Sequence, residues 1–141
     1  LGHLVQLEQQ DILFLIGSFG ASAVLLYGTP GVPLAQPRNL MGGHILSAFT
    51  GVLMYGWIAD PLYLSGALSV AKAIAVMHLT KTTHPPGGAT ALIAVIGSEH
   101  VHQLGFIYVL SPVALGALIM LLVALIVNNL ISFRRYPLFW W

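Results

Sequence analysis

The chain has 141 residues, of which 57% are hydrophobic and 6% charged, with a formal net charge of +1 and no cysteine. A typical soluble domain carries about 25% charged residues, so this composition excludes a soluble globular domain. It describes a single integral membrane domain over residues 1–141 with several crossings, and the lack of cysteine excludes disulfides.

Residues 1–11 are polar and hold Glu8 and Asp11. Residues 12–28 are apolar but interrupted by Gly17, Ser18 and Gly20, so they read as a short or broken helix. Residues 29–39, with three prolines, Gly31 and Arg38, form a loop. Residues 40–58 read as a full helix, Asp60-Pro61 as a turn, and residues 62–80 as a second full helix. Lys81-Thr82-Thr83-His84-Pro85-Pro86-Gly87 is not regular helix, because two successive prolines remove donors and clash with the preceding turn. Residues 88–98 read as a half-helix of roughly 16 Å at 1.5 Å per residue. A polar loop over 99–103 precedes a long helix over 105–130, bent at Pro112. Arg134-Arg135 and an aromatic tail suited to the membrane interface close the chain.

If each apolar segment crosses once, Arg38, Lys81, Arg134 and Arg135 fall on one side and Glu8, Asp11, Asp60 and Glu99 on the other. The positive-inside rule then makes the Arg134/Arg135 side cytoplasmic or stromal. The tetrad Gly20-Ala21-Ser22-Ala23 returns as Gly88-Ala89-Thr90-Ala91, 68 positions later. In this scheme the two copies open half-helices running in opposite directions. The expected fold is therefore an all-α polytopic bundle with two broken or half helices and an inverted 3+3 repeat. Repeat one covers 12–58 and repeat two 62–130; the helix that should precede repeat one is expected before Leu1.

The chemistry concentrates in Thr83-His84-Pro85-Pro86-Gly87-Gly88-Ala89-Thr90. Extended backbone at membrane depth is tolerated when buried in protein or lining a cavity. Pro85 and Pro86 hold it extended, and the helix that follows offers the positive end of its dipole, a ready anion site. Gly20, Ala21 and Ser22, with Thr83, His84, Gly87, Gly88, Ala89 and Thr90, are the expected binding residues for a small anion. Lys72 is expected to supply charge, because a cation at the centre of a span costs about 2.5–3.5 kcal/mol unless it faces a protein interior or a wet cavity. His44 and His84 could each carry a proton; for His44 a packed histidine bonded to a backbone carbonyl is the favoured reading, and for His84 the two readings stand even. Gly43, Ser47 and Gly51, four apart, read as a close helix contact. His100 and His102 beside Glu99 read as a polar surface loop rather than a metal site. No cofactor motif, catalytic constellation or nucleic-acid signature is present, so an enzyme is not expected.

The run 81–92 resembles the signature of the HPP family of integral membrane proteins, named for its histidine-proline-proline. The resemblance extends to 17–28, to Pro33-Leu34-Ala35-Gln36-Pro37-Arg38-Asn39 and to Arg134-Arg135-Tyr136-Pro137. It implies a bacterial or cyanobacterial inner membrane or a plastid envelope, and, for the cyanobacterial-plastid branch, nitrite transport. The expected partners are the lipid bilayer and nitrite or nitrate, and a homo-oligomer is compatible with the composition. The rival readings are a membrane receptor or scaffold without transport, and a cation or metal transporter. The shortage of buried carboxylates argues against the latter.

Overall fold

The computed structural model describes residues 8–141, so the polar stub over 1–7 lies outside the described residues. Those described fold into helices and turns, with no strand among them.

Helix α1 spans Gln9–Ala23 and runs on through a π turn, Val24–Gly28. Its start is set by a capping box in which the Glu8 amide donates to Asp11 Oδ2 at 3.1 Å. Its inward stripe is Asp11, Leu15, Ser18 and Ser22, one residue per turn. Gly17, Ser18 and Gly20 do not break it, which corrects the expected first half-helix. A glycine costs a helix about 1 kcal/mol relative to alanine, less than leaving backbone donors unpaired in an apolar setting. Gly20-Ala21-Ser22-Ala23 is therefore mid-helix rather than a helix start.

A turn at Pro33–Ala35 leads into helix α2, Pro37–Trp57, with Pro37 at its first position. Helix α3 is Leu62–Leu79. Residues 82–84 carry no regular structure; Pro85, expected to be extended, already has helical angles (φ −51°, ψ −38°), and the short helix α4, Pro86–Ile96, follows. Helix α5, Glu99–Leu104, replaces the expected loop; Ser98 stands at its N-cap. A π turn at Val109–Ala114 and helix α6, Leu115–Asn129, form the last crossing. Its expected bend lies at Ser111, whose φ of −140° and ψ of 119° are not helical.

Gln9–Gly28, Leu62–Leu79 and Val109–Asn129 are long and apolar enough to cross a membrane. Helix α2 is as long but more polar, and it packs against α3, α4 and α6. Asn39, His44, Ser47 and Thr50 lie buried along it, so lipid does not have to solvate them. The bundle is apolar outside and buries polar side chains among apolar ones within: Leu13, Ile16, Ile119 and Ile126 are exposed, while Ser18, Ser22, His44, His84 and Thr90 are buried alongside Leu26, Leu40 and Val113.

The charges sort to the two ends. At one end Arg38 donates to the Thr80 carbonyl at 2.6 Å and Arg134 to the Tyr27 carbonyl at 2.8 Å, each cation serving an orphan carbonyl near a helix C-terminus. The tail docks there too, with the Tyr136 hydroxyl donating to the Ala35 carbonyl at 2.8 Å. At the other end Asp11 accepts from the Ser98 amide at 2.9 Å and the Ser98 hydroxyl at 2.5 Å, joining the starts of α1 and α5.

Candidate functional site

Helices α2 and α4 approach closely because their facing positions are small. A Cβ on Gly87 would lie 2.7 Å from the Gly43 carbonyl oxygen and 2.8 Å from Ser47 Oγ; one on Gly51 would lie 2.4 Å from the Ala91 carbonyl oxygen. The seam of Gly43, Ser47 and Gly51 is thus the bed on which the proline corner and α4 rest.

That approach, with α1 alongside, assembles a cluster of five polar side chains. Ser22 Oγ lies 2.8 Å from His44 Nε2 and 2.8 Å from His84 Nε2. His44 Nδ1 lies 2.8 Å from Thr90 Oγ1, which is 2.9 Å from Ser18 Oγ. Ser18 also faces the Pro86 carbonyl at 3.0 Å, and His84 Nδ1 faces the Leu34 carbonyl at 2.8 Å. Both imidazoles are fully buried.

One end of this chain determines the rest. The Leu34 carbonyl can only accept, so His84 carries a proton on Nδ1, and in a neutral ring its Nε2 accepts from the Ser22 hydroxyl. Ser22 has then spent its proton, so His44 must donate to it from Nε2. His44 Nδ1 consequently accepts from Thr90, and Ser18 donates to Thr90 or to the Pro86 carbonyl. Every imidazole nitrogen is used, and both rings are neutral in this pattern. The Tyr108 hydroxyl donates to the Thr90 carbonyl at 3.1 Å and packs the cluster from the side of α6.

Apart from Gly87, which rests on the α2 seam, and Lys72, the expected site residues divide into three groups. Ser22, His84 and Thr90 belong to the cluster. The hydroxyls at corresponding positions of the two tetrads, Ser22 and Thr90, meet on the two nitrogens of one imidazole. Ala21, Pro85, Pro86 and Ala89 line an outward apolar groove of about 570 Å³ between α1 and α4. Thr83, Pro85, Gly88 and Ala89 line another of about 540 Å³ against α3. Gly20 is exposed on α1, with no atom within 4 Å of a Cβ built on it.

The start of α4 differs from the expected anion cradle. Pro85 and Pro86 have no N–H, and the amides of Gly87 and Gly88 donate to the carbonyls of His84 at 2.8 Å and Pro85 at 3.0 Å. Its first turn therefore presents no free donor in this conformation. Lys72 also stands apart. The buried stripe of α3 steps by four through Ser65, Ser69, Ala73 and Met77. Lys72 lies close to Ser65 around the helix axis, but about 60° from Ser69 and about 100° from Ala73 at roughly 100° per residue, on the edge of that stripe. It is exposed, with its ammonium 4.4 Å from the ring centroid of Trp57.

His44 and Ser18 were the residues sequence reasoning passed over. Instead of resting on a carbonyl, His44 sits at the centre of the cluster, with the Phe19 ring 5.2 Å and the His84 ring 5.0 Å from its own. The available signal was the period of α1: Asp11, Ser18 and Ser22 share one face, an unusual stripe for a span bordered by lipid. His102 belongs elsewhere, stacked on Tyr55 with ring centroids 3.7 Å apart.

Apolar helices wrapped around hydrogen-bonded polar side chains define a polytopic α-helical membrane protein. The chain belongs to the HPP family: the family described as "HPP, transmembrane region" matches residues 1–137. It is 52% identical over 144 residues to a transmembrane protein of Dictyostelium discoideum, an alignment covering 100% of this chain and 46% of the relative. A second transmembrane protein of Dictyostelium discoideum is 50% identical over 142 residues, covering 99% of this chain and 50% of the relative. The chain thus spans about half the length of these curated relatives. Neither relative's name states a substrate, and no solved structure matches.

Proposed function

We propose that this chain is the transmembrane part of a transporter for a small inorganic anion, with nitrite the foremost candidate and nitrate the next. The observation that carries the reading is the buried chain Ser18–Thr90–His44–Ser22–His84 at the crossing of α1, α2 and the proline corner. A bundle that only needed to pack would fill this volume with apolar side chains, because hydrogen bonds between membrane helices stabilise by about 0.6 kcal/mol on average. Hydroxyls and imidazoles can instead exchange their mutual hydrogen bonds for those of a small oxyanion when the helices part. Ser47 Oγ, buried beside Gly87 without a partner among the described residues, is a further hydroxyl for it. The preference for nitrite comes from the family resemblance alone.

The inverted relation of 12–58 to 62–130 forms part of this proposal. Its support is that α1 and α4 run antiparallel, with Asp11 at Ser98 and Ser18 at Pro86, yet contribute Ser22 and Thr90 to the same imidazole. The basic end, with Arg134 and Arg135, is assigned to the cytoplasm or stroma on the positive-inside rule. Nitrite uptake into proteoliposomes tests the reading. Uptake above protein-free vesicles that falls at least tenfold in His84→Ala is expected; uptake equal to protein-free vesicles overturns it.

A further inference from the structure

We infer that the Ser22-bridged pair of His44 and His84 takes up one proton when a monovalent anion enters, so that the two are carried together; this rests on the transport reading above. Among the described residues no fixed positive charge is positioned to balance an anion here. Arg38 serves the Thr80 carbonyl, Arg134 serves the Tyr27 carbonyl and Asn128, Lys72 lies over Trp57, and Lys81 and Arg135 are exposed. The groups that face the imidazoles are Ser18, Ser22 and Phe19 of α1, Thr90 of α4 and the Leu34 carbonyl, besides each other. Tyr108 is one residue removed, through the Thr90 carbonyl, and Asp11 is held by Ser98. Among the described residues no Asp, Glu, Lys or Arg bonds either ring.

The cluster has a second hydrogen-bond arrangement ready for an added proton. Ser22 Oγ lies 3.3 Å from the Ser18 carbonyl, an acceptor its hydroxyl does not use while it donates to His84. When a hydronium ion gives its proton to His84 Nε2, one hydronium O–H bond breaks, water leaves, one N–H bond forms, and no other covalent bond changes; the Ser22 hydrogen bond to Nε2 reverses. That N–H donates to Ser22 Oγ, which accepts from both rings while its own hydrogen turns to the Ser18 carbonyl. Thr90 is built alike: its Oγ1 lies 3.5 Å from the Pro86 carbonyl, so it too can turn away if His44 Nδ1 is the proton acceptor. Both hydroxyls that now donate to an imidazole thus have an alternative carbonyl, and proton uptake requires rotation of one hydroxyl rather than movement of a helix.

The low dielectric supplies the coupling. A lone imidazolium or a lone anion in this position has a large desolvation penalty; together they neutralise one another. Each therefore raises the affinity for the other, and by linkage the effect is reciprocal.

The experiment uses the full chain in proteoliposomes with an internal pH dye, corrected by protein-free vesicles for the permeation of nitrous acid. An imposed nitrite gradient is expected to carry about one proton inward per nitrite, consistent with one titrating imidazole pair. An imposed potassium-valinomycin voltage should leave that flux unchanged. Voltage-driven nitrite flux without proton entry would overturn the proton inference and leave the transport reading standing. Absence of flux above protein-free vesicles overturns the transport reading. The proton inference is then decided by nitrogen NMR of 15N-histidine in the same chain at about pH 6, near the ordinary histidine range. One imidazole becoming imidazolium on adding nitrite supports it, and both staying neutral overturns it. Ser22→Thr, which keeps the hydroxyl, should preserve the one-to-one ratio, and loss of the ratio in that variant also counts against the inference.

Discussion

Gly51→Ala tests the contact on which the cluster depends. The added Cβ would stand 2.4 Å from the Ala91 carbonyl oxygen, 2.8 Å from Ala94 Cβ and 3.0 Å from the Ala91 carbonyl carbon, and ordinary contact begins at 3.4 Å. Because the nearest atoms belong to the α4 backbone, no side-chain rotation relieves the clash, and α2 and α4 must part by about 1 Å locally. Overpacking of this kind costs about 1–3 kcal/mol, offset by about 1 kcal/mol of helix propensity gained over glycine. A net loss of up to about 2 kcal/mol is expected. The same movement carries Thr90, next to Ala91, away from His44, and their 2.8 Å hydrogen bond has no slack for it. Gly20→Ala is the matched control, since nothing lies within 4 Å of its Cβ, and it should stabilise by about 0.5–1 kcal/mol. Reversible unfolding in detergent, followed by tryptophan fluorescence, measures both. Gly51→Ala at least as stable as wild type would refute the close approach. An equal loss in Gly20→Ala would show that the first tetrad is a tight corner after all.

Further expectations concern individual contacts. Ser22→Ala leaves two buried imidazole nitrogens without their shared partner and should destabilise by about 1–3 kcal/mol, read in the same unfolding assay, with Ser22→Thr losing less. Lys72→Ala should leave nitrite flux within about twofold of wild type (about 0.4 kcal/mol at RT of 0.59 kcal/mol, smaller than a typical coupling energy) while changing Trp57 fluorescence, because the lysine contacts that ring rather than the cluster. Asp11→Ala removes the acceptor for both the amide and the hydroxyl of Ser98, so limited proteolysis should cut faster around α5. The Tyr136 phenol lies outside the spans, and its burial, then the neighbouring Tyr27, raise its pKa above the ordinary 10.0. Above about pH 10 a released tail would ionise while a docked one would not. The released state then binds fewer protons, so docking weakens as pH rises. Proteolytic release of the tail at pH 8 and at pH 11 checks the sign, with faster release expected at pH 11.

Some of the candidate site was legible before any coordinates. Pro85-Pro86 predicted a helix break that the structure contains, and Gly43, Ser47 and Gly51 predicted a close contact that turns out to face Gly87 and Ala91. His84 and Thr90 followed from the same motif. Ser22 was named for the right tetrad but for the wrong local structure, since its α1 runs unbroken through Gly20. Lys72 looked like a site residue because, counted by helical period, it fell near Ser65 and Ser69. A separation of about 100° from Ala73 was enough to turn it outward.

The sequence by itself determined properties that reside in one residue or in the composition. Few charges mean a lipid-facing surface, and a proline lacks its N–H wherever it stands, so the membrane class and the break before α4 needed no neighbours. Which face of each helix turns inward was decided only by tertiary packing. That choice depends on how closely two backbones can approach, and the approach was set by Gly51 of α2 against the Ala91 carbonyl of α4 and Gly87 of α4 against the Gly43 carbonyl of α2. His44 became the centre of the cluster for this reason: two segments distant from it in the chain, one with Phe19 and Ser22 and one with His84 and Thr90, bring hydroxyls and rings to it, and no local pattern records their meeting.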